Sequence, residues 1–170
     1  SPGPLCIRVR SEIPIGKGLG SSAAVLAALE TAVRRLQDEP VDAGLVFEAV
    51  AAAEGHADNA AAAVYGGLVL AGPGSVHRME MHPSLSVVVA VPDDTLATRD
   101  AREALPDSVA FDVASRTSGR AIRLIEGLRT GNTDLLAAIG RDELHEPYRV
   151  ALRPVIGELL NAAAEAGAFF

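Results

Sequence analysis

The chain has 170 residues, 49% of them apolar, which supports a packed core and excludes a disordered segment. A net charge of −7 and 4% aromatic residues exclude a nucleic-acid surface, which needs a basic stripe or stacking platforms. Cys6 is the one cysteine, so there is no disulfide framework and no Cys-rich metal site, a usage compatible with a reducing cytoplasm.

In chain order, Leu5, Ile7 and Val9 alternate with Cys6, Arg8 and Arg10, the pattern of a half-buried strand ended by Pro14. Gly16, Gly18 and Gly20 form a loop, after which Ser21 and Ser22 offer N-cap chemistry. Val25, Leu29, Ala32, Val33 and Leu36 then recur at helical spacing to about Gln37. Asp42 is placed to cap a second helix, whose buried face reads as Leu45, Val46, Ala49, Val50 and Ala53 and which ends near Glu54-Gly55. A polar cluster, Glu54-Gly55-His56-Ala57-Asp58-Asn59, leads into another Ala-rich helical run. Tyr65–Leu70 reads as a turn into a strand, and Leu85–Val91 as an apolar strand ended by Pro92-Asp93-Asp94.

The second half is mostly helical, with runs at Thr98–Leu105, Asp112–Arg129, Leu135–Ile139, Glu143–Tyr148 and Val155–Ala166. The polar stretch Ser75–Ser84 separates the halves. No apolar run approaches the ~20 residues that cross a bilayer. The opening Ser-Pro-Gly-Pro lacks the charged and apolar regions of a signal peptide. Because it opens almost directly into a strand-like run and stops straight after a helical one, the chain reads as part of a longer protein.

Pro14-Ile15-Gly16-Lys17-Gly18-Leu19-Gly20-Ser21-Ser22-Ala23-Ala24 carries the most information. Glycines allow positive φ and close backbone approach, successive N–H groups form an anion nest, and a following helix adds unpaired N–H groups. Lys17, the chain's single lysine, precedes Gly18 rather than Ser or Thr, so the loop is not a Walker A loop; G-x-G-x-G is not the dinucleotide spacing either. On chemistry alone, a phosphate site competes with a glycine-rich turn and an ordinary cap. The polar cluster has two readings as well. It could hold a polar substrate, or Gly55 could end one helix while Asp58 or Asn59 caps the next.

The loop resembles the ATP-binding motif of the GHMP kinases, meeting all its signature positions. The cluster resembles the Glu-Gly-His-Pro-Asp-Asn segment of the homoserine kinases in that superfamily, with Ala57 where proline is common. Tyr65-Gly66-Gly67-Leu68, Val89–Asp93 and Arg141–Arg149 are similar to further segments of the same family. The resemblance implies an α+β fold of two parts: an N-terminal βαβ part like that of a ribosomal protein, here residues 1–76, and a C-terminal α+β part, here 77–170. Both parts are expected to be incomplete, since the family's opening strands and its Ser-Gly-x-Gly-Pro segment are missing from this sequence.

The function implied is Mg²⁺- and ATP-dependent phosphorylation of the L-homoserine hydroxyl, in threonine biosynthesis in the cytoplasm, with a homodimer left open. His56 and Asp58 inherit contacts to the amino-acid substrate, with Asn59 beside them. Arg120 and Arg149 match positions that approach its carboxylate, against a plain reading as surface helix arginines. Pro14–Ala24 would hold the nucleotide. Ser22, with Ser21 near it, and Glu48 would supply metal oxygens, although Glu48 alone reads as a solvated helix glutamate. His56, Asp58 and Arg120 would align the acceptor; no carboxylate stands out as a general base. His77, His82 and His145 lack metal-ligand spacing. The competing readings are a kinase of another GHMP substrate and a nucleotide-binding module without turnover.

Overall fold

The structure is a computed structural model that describes residues 6–72, 74–92, 101 and 103–169. It is α+β, and it divides into two units, Ser1–Arg78 and Met79–Phe170.

The first unit contains α1 (Ser21–Leu36), α2 (Ala43–Glu54), α3 (Asp58–Tyr65), β1 (Leu68–Gly72) and the strand β2 (Ser75–Met79), which pairs with β1. Asp42 starts α2 as expected, its carboxylate accepting from the Gly44 and Leu45 N–H groups at 2.8 and 3.2 Å. Gly55 ends that helix in the left-handed region, at φ 75°.

The core of this unit is built from small side chains: Ala23, Ala27, Ala60 and Ala61 with Val46, Phe47 and Val50. Methyl groups let helices approach closely, and among the described residues Val50 is the one large side chain wholly buried. Phe47 and Tyr65 add a tilted ring pair with centroids 5.9 Å apart.

Several expectations are corrected here. Residues 6–10 form no strand and are exposed, and Leu5 lies outside the described residues. The Val-rich stretch Leu85–Val91 is not a strand either, and Val88 is 89% exposed. Alternation supplies only one face; a strand also needs a neighbour for its N–H and C=O groups, and among the described residues neither segment has one. In α1 the buried side is Ala23 and Ala27, not the larger residues, and Val33 and Leu36 are exposed. In α2, Phe47 is buried while Leu45 and Ala53 are exposed. Ser21 and Ser22 do not cap α1; Gly20 is the N-cap, with no side-chain cap bond. Ala57 rather than Asp58 or Asn59 is the N-cap of α3. β2 lies inside the stretch read as a divider.

The second unit contains α4 (Phe111–Thr130), α5 (Thr133–Ala137), α6 (Glu146–Leu152) and α7 (Pro154–Glu165). The helix expected at Glu143–Tyr148 begins later, because Asp142 holds the Leu144 and His145 N–H groups in a turn. Half of the expected helix Thr98–Leu105, residues 98–100 and 102, lies outside the described residues. Leu136 and Ile139 are buried after α4, at 3% and 8% exposure. The backbone N–H of His82 donates to the Leu128 carbonyl at 2.8 Å, tying the segment before α4 to its last turn.

The His82 ring also crowds Gly131. That glycine ends α4 at φ 70°, and a Cβ there would lie 2.5 Å from the His82 ring. Gly131→Ala is expected to destabilise by about 2–4 kcal/mol, combining left-handed strain with a ring clash. Gly140→Ala carries the strain alone, since φ is 70° and nothing lies within 4 Å. Urea unfolding of both variants checks this: equal midpoints would show that the His82 approach costs nothing.

Candidate functional site

The glycine loop has the backbone that the sequence demands. Gly16, Gly18 and Gly20 stand at φ 71°, 74° and 76°. Asp38 is the only non-glycine of positive φ among the described residues, so Lys17 and Leu19 are negative. This alternation of hand turns successive N–H groups toward one side, the arrangement of an anion nest. Ile15 is 82% exposed at the tip, and Pro14 and Ser22 are also exposed. Lys17, Ser21 and Ala24 are half-buried, and Leu19 is exposed. Ala23 is wholly buried and fixes the loop to the core. The Ala24 N–H donates to the Gly20 carbonyl at 2.9 Å, so helical bonding starts at once. The earlier N–H groups of that turn have no partner within the helix and face the loop with the positive end of its dipole.

The second cluster follows the left-handed Gly55. His56 Nδ1 lies 2.5 Å from Asp58 Oδ1, and His56 Nε2 lies 3.6 Å from Glu54 Oε2. A carboxylate only accepts, so the short contact assigns a proton to Nδ1. Asp58 Oδ1 also accepts from the Asn59 N–H at 2.6 Å. The His56 side chain is 19% exposed between the two carboxylates, while Asp58 is 68% exposed. Asp58 is thus an oriented acid at the surface, in the first turn of α3.

The two motifs meet. A Cβ on Gly20 would lie 3.4 Å from Asn59 Oδ1, so the last loop glycine rests against the side chain that follows Asp58. Their helices bring them together through buried Ala23 and Ala60, which belong to one core cluster. Nothing in the sequence reading linked these two positions.

Glu48 is exposed on α2. No group of three or more His, Cys, Asp or Glu side chains that could hold a metal occurs among the described residues. Exposed oxygens on Ser22 and Glu48 nevertheless suit Mg²⁺, which takes one or two protein oxygens plus phosphates rather than a full protein cage.

In the second unit, Arg120 is half-buried on α4 and Arg149 exposed on α6. Arg120 Nη2 donates to Glu143 Oε1 at 2.6 Å. Arg116 engages the same carboxylate through Nε and Nη2, and Asp112 through Nη1. Hydrogen bonds from Arg116 and Arg120 hold the Glu143 carboxyl down at about 2, so it stays ionised at neutral pH. Sequence reading missed Arg116 and Glu143, although the spacing of Asp112, Arg116 and Arg120 on one helix face is a legible signal. His145 Nδ1 lies 3.0 Å from Asp142 Oδ2, in the turn before α6.

The model of the GHMP kinases N terminal domain matches residues 2–67, which include both motifs. Homoserine kinase from Moorella thermoacetica is 37% identical over 98% of this chain, and that from Trichormus variabilis 35% over 99%. The chain is thus similar to homoserine kinases along nearly its whole length. It spans 58% and 57% of the length of those two relatives. The crystal structure of homoserine kinase from Cytophaga hutchinsonii superposes with a TM-score of 0.78 at 30% identity, covering 93% of this chain and 53% of the other. The likeness therefore continues through the helices of the second unit, beyond the domain that the family model matches. No described helix is long and apolar enough to cross a membrane.

Proposed function

We propose that the protein transfers the γ-phosphoryl group of ATP to the hydroxyl of L-homoserine, giving O-phospho-L-homoserine for threonine synthesis in the cytoplasm. The observation that carries this reading is the approach of Gly20 to Asn59, which sets a phosphate nest beside the oriented His56–Asp58 pair. The relatives named homoserine kinase align over 98% and 99% of the chain, a length that includes both segments.

In this reading the N–H groups of Gly16–Ala24 bind the nucleotide phosphates. Asp58 receives the substrate ammonium, held in place by His56 and by the Asn59 N–H. Arg120 and Arg149 serve the substrate carboxylate, a group that guanidinium forks match well. Residues 77–170 then form part of the C-terminal domain. Mg²⁺, held by Ser22 and Glu48, would supply charge neutralisation at the phosphates when bound. The acceptor oxygen forms its bond to the γ-phosphorus, the bond to the bridging oxygen breaks, and ADP leaves with the hydroxyl proton released. Positioning and electrostatic stabilisation carry most of the rate in this chemistry.

The test is ATP consumption by the protein expressed at the full length of its gene, with L-homoserine set against L-serine, L-threonine, mevalonate and galactose. Turnover with L-homoserine alone is expected. Turnover with mevalonate or galactose would keep the loop and overturn the acceptor. Magnesium-dependent ATP binding without turnover would favour a nucleotide-binding module.

A further inference from the structure

Glu54 stands at the unfavourable end of its helix. It is the last residue of α2, where the dipole is negative, and that turn holds no basic residue. Its side chain is 10% exposed, so water screens it little. Among the described residues its one ion-pair partner is His56, whose Nε2 stands 3.6 Å from Oε2. A desolvated carboxylate set against a helix dipole calls for a cation, and the His56 ring is the group placed to be one.

The other ring nitrogen is committed as well. His56 Nδ1 lies 2.5 Å from Asp58 Oδ1, a contact that requires a proton on Nδ1. Glu54 of α2 and Asp58 of α3 are the carboxylates paired with the ring among the described residues, and the His56 side chain is 19% exposed between them. A neutral ring with its proton on Nδ1 would turn a bare lone pair toward Glu54. A ring with a proton on each nitrogen faces an acceptor on both sides. The three side chains then carry one net negative charge, which one ammonium group neutralises.

We infer that Glu54 is a positioning residue that keeps a proton on His56 Nε2, so that the ring stays a cation and its Nδ1–H holds Asp58 toward the acceptor's ammonium. This rests on the reading of L-homoserine as acceptor and deepens it, since it names what makes the cluster select a cation. Glu54 touches no substrate and acts through the ring. Asp58 is 68% exposed and open to a ligand, whereas Glu54 is nearly covered. Without the Glu54 charge, a ring with a single proton can carry it on Nε2, and that tautomer turns a lone pair on Asp58 and releases it. A ring that stays charged would instead cancel Asp58, leaving the ammonium no net attraction.

The first arm of the experiment is NMR of the ring nitrogens in histidine-labelled protein expressed at the full length of its gene, with the His56 signals assigned by their loss in His56→Gln. At neutral pH both His56 nitrogens are expected in the protonated range. Glu54→Gln is near-isosteric and removes the charge, so it should move Nε2 toward the unprotonated range. An unprotonated Nε2 in the unaltered protein, or an unmoved one in Glu54→Gln, would overturn the role whatever the acceptor is.

The second arm compares L-homoserine with γ-hydroxybutyrate, which has the hydroxyl and the carboxylate but no ammonium. In Glu54→Gln the preference for homoserine, as the ratio of kcat/KM values, is expected to fall roughly tenfold, the scale of one charge-assisted bond. KM for ATP should be unchanged; a rise matching that for homoserine would overturn the role by reporting a disturbed fold. Added to His56→Gln, Glu54→Gln should lower the preference no further, and independent additive losses would overturn action through the ring. If the unaltered protein phosphorylates only alcohols without an ammonium, the acceptor reading fails and this role for Glu54 fails with it, whereas a failure in the NMR arm alone leaves the acceptor intact.

Discussion

Replacing Asp58 by alanine is expected to lower kcat/KM for L-homoserine by roughly 30- to 1000-fold, the ~2–4 kcal/mol typical of removing one partner of a desolvated charge pair. The carboxylate is oriented from two sides, by His56 and by the Asn59 N–H. Its side chain is 68% exposed, so the fold depends little on it. Alanine removes an acid from the first turn of α3, worth about 0.3–1 kcal/mol there. Asp58→Asn keeps the shape and loses the charge, so it should fall nearly as far. KM for ATP should stay within a few-fold, since the nest is backbone. Steady-state kinetics with each substrate varied in turn decide the matter: an unaltered kcat/KM for homoserine would remove Asp58 from the site.

A second large effect is expected at Gly20, and its comparison with Gly18 is more informative than either alone. Both stand in the left-handed region, at φ 76° and 74°. Alanine at either position costs about 1–2 kcal/mol of strain or else reorients an N–H of the nest, raising KM for ATP about tenfold. The two differ in their neighbours. Nothing lies within 4 Å of a Cβ at Gly18, whereas at Gly20 the Asn59 side chain stands at 3.4–3.6 Å. Gly20→Ala should therefore raise KM for homoserine as well, and Gly18→Ala should not. Equal homoserine KM values in the two variants would separate the loop from the acceptor site.

Much of the fold was legible where the cause is local. The helix starting at Asp42, the left-handed ending at Gly55 and the long α4 all follow from caps and spacing. Elements whose cause is non-local were not legible. Cys6–Arg10 and Leu85–Val91 have the composition of strands, but composition cannot supply the neighbouring strand that pairing requires. The buried side of α1 was not legible, because large apolar residues outrank alanine in any periodicity count. The packing instead uses the pair whose methyl groups allow close approach, Ala23 and Ala27.

The site divides the same way. The loop and the His56–Asp58 pair are each contiguous in sequence and could be recognised as motifs. The meeting of Gly20 with Asn59 and the bond from Arg120 to Glu143 join distant positions, and only the fold reveals them.

The alanines behind the site set its width. Ala23 lies three residues after Gly20, Ala60 directly follows Asn59, and both are 0% exposed. A single added methylene at either position has nowhere to go, so it would drive α1 and α3 apart and lengthen the gap between phosphate nest and acceptor cluster. In the proposed reaction, the reach of the transfer would be gauged by these two methyl groups, which lie behind the loop and the cluster. A change of acceptor length would begin there, in the packing, before any residue of the loop or the cluster changes.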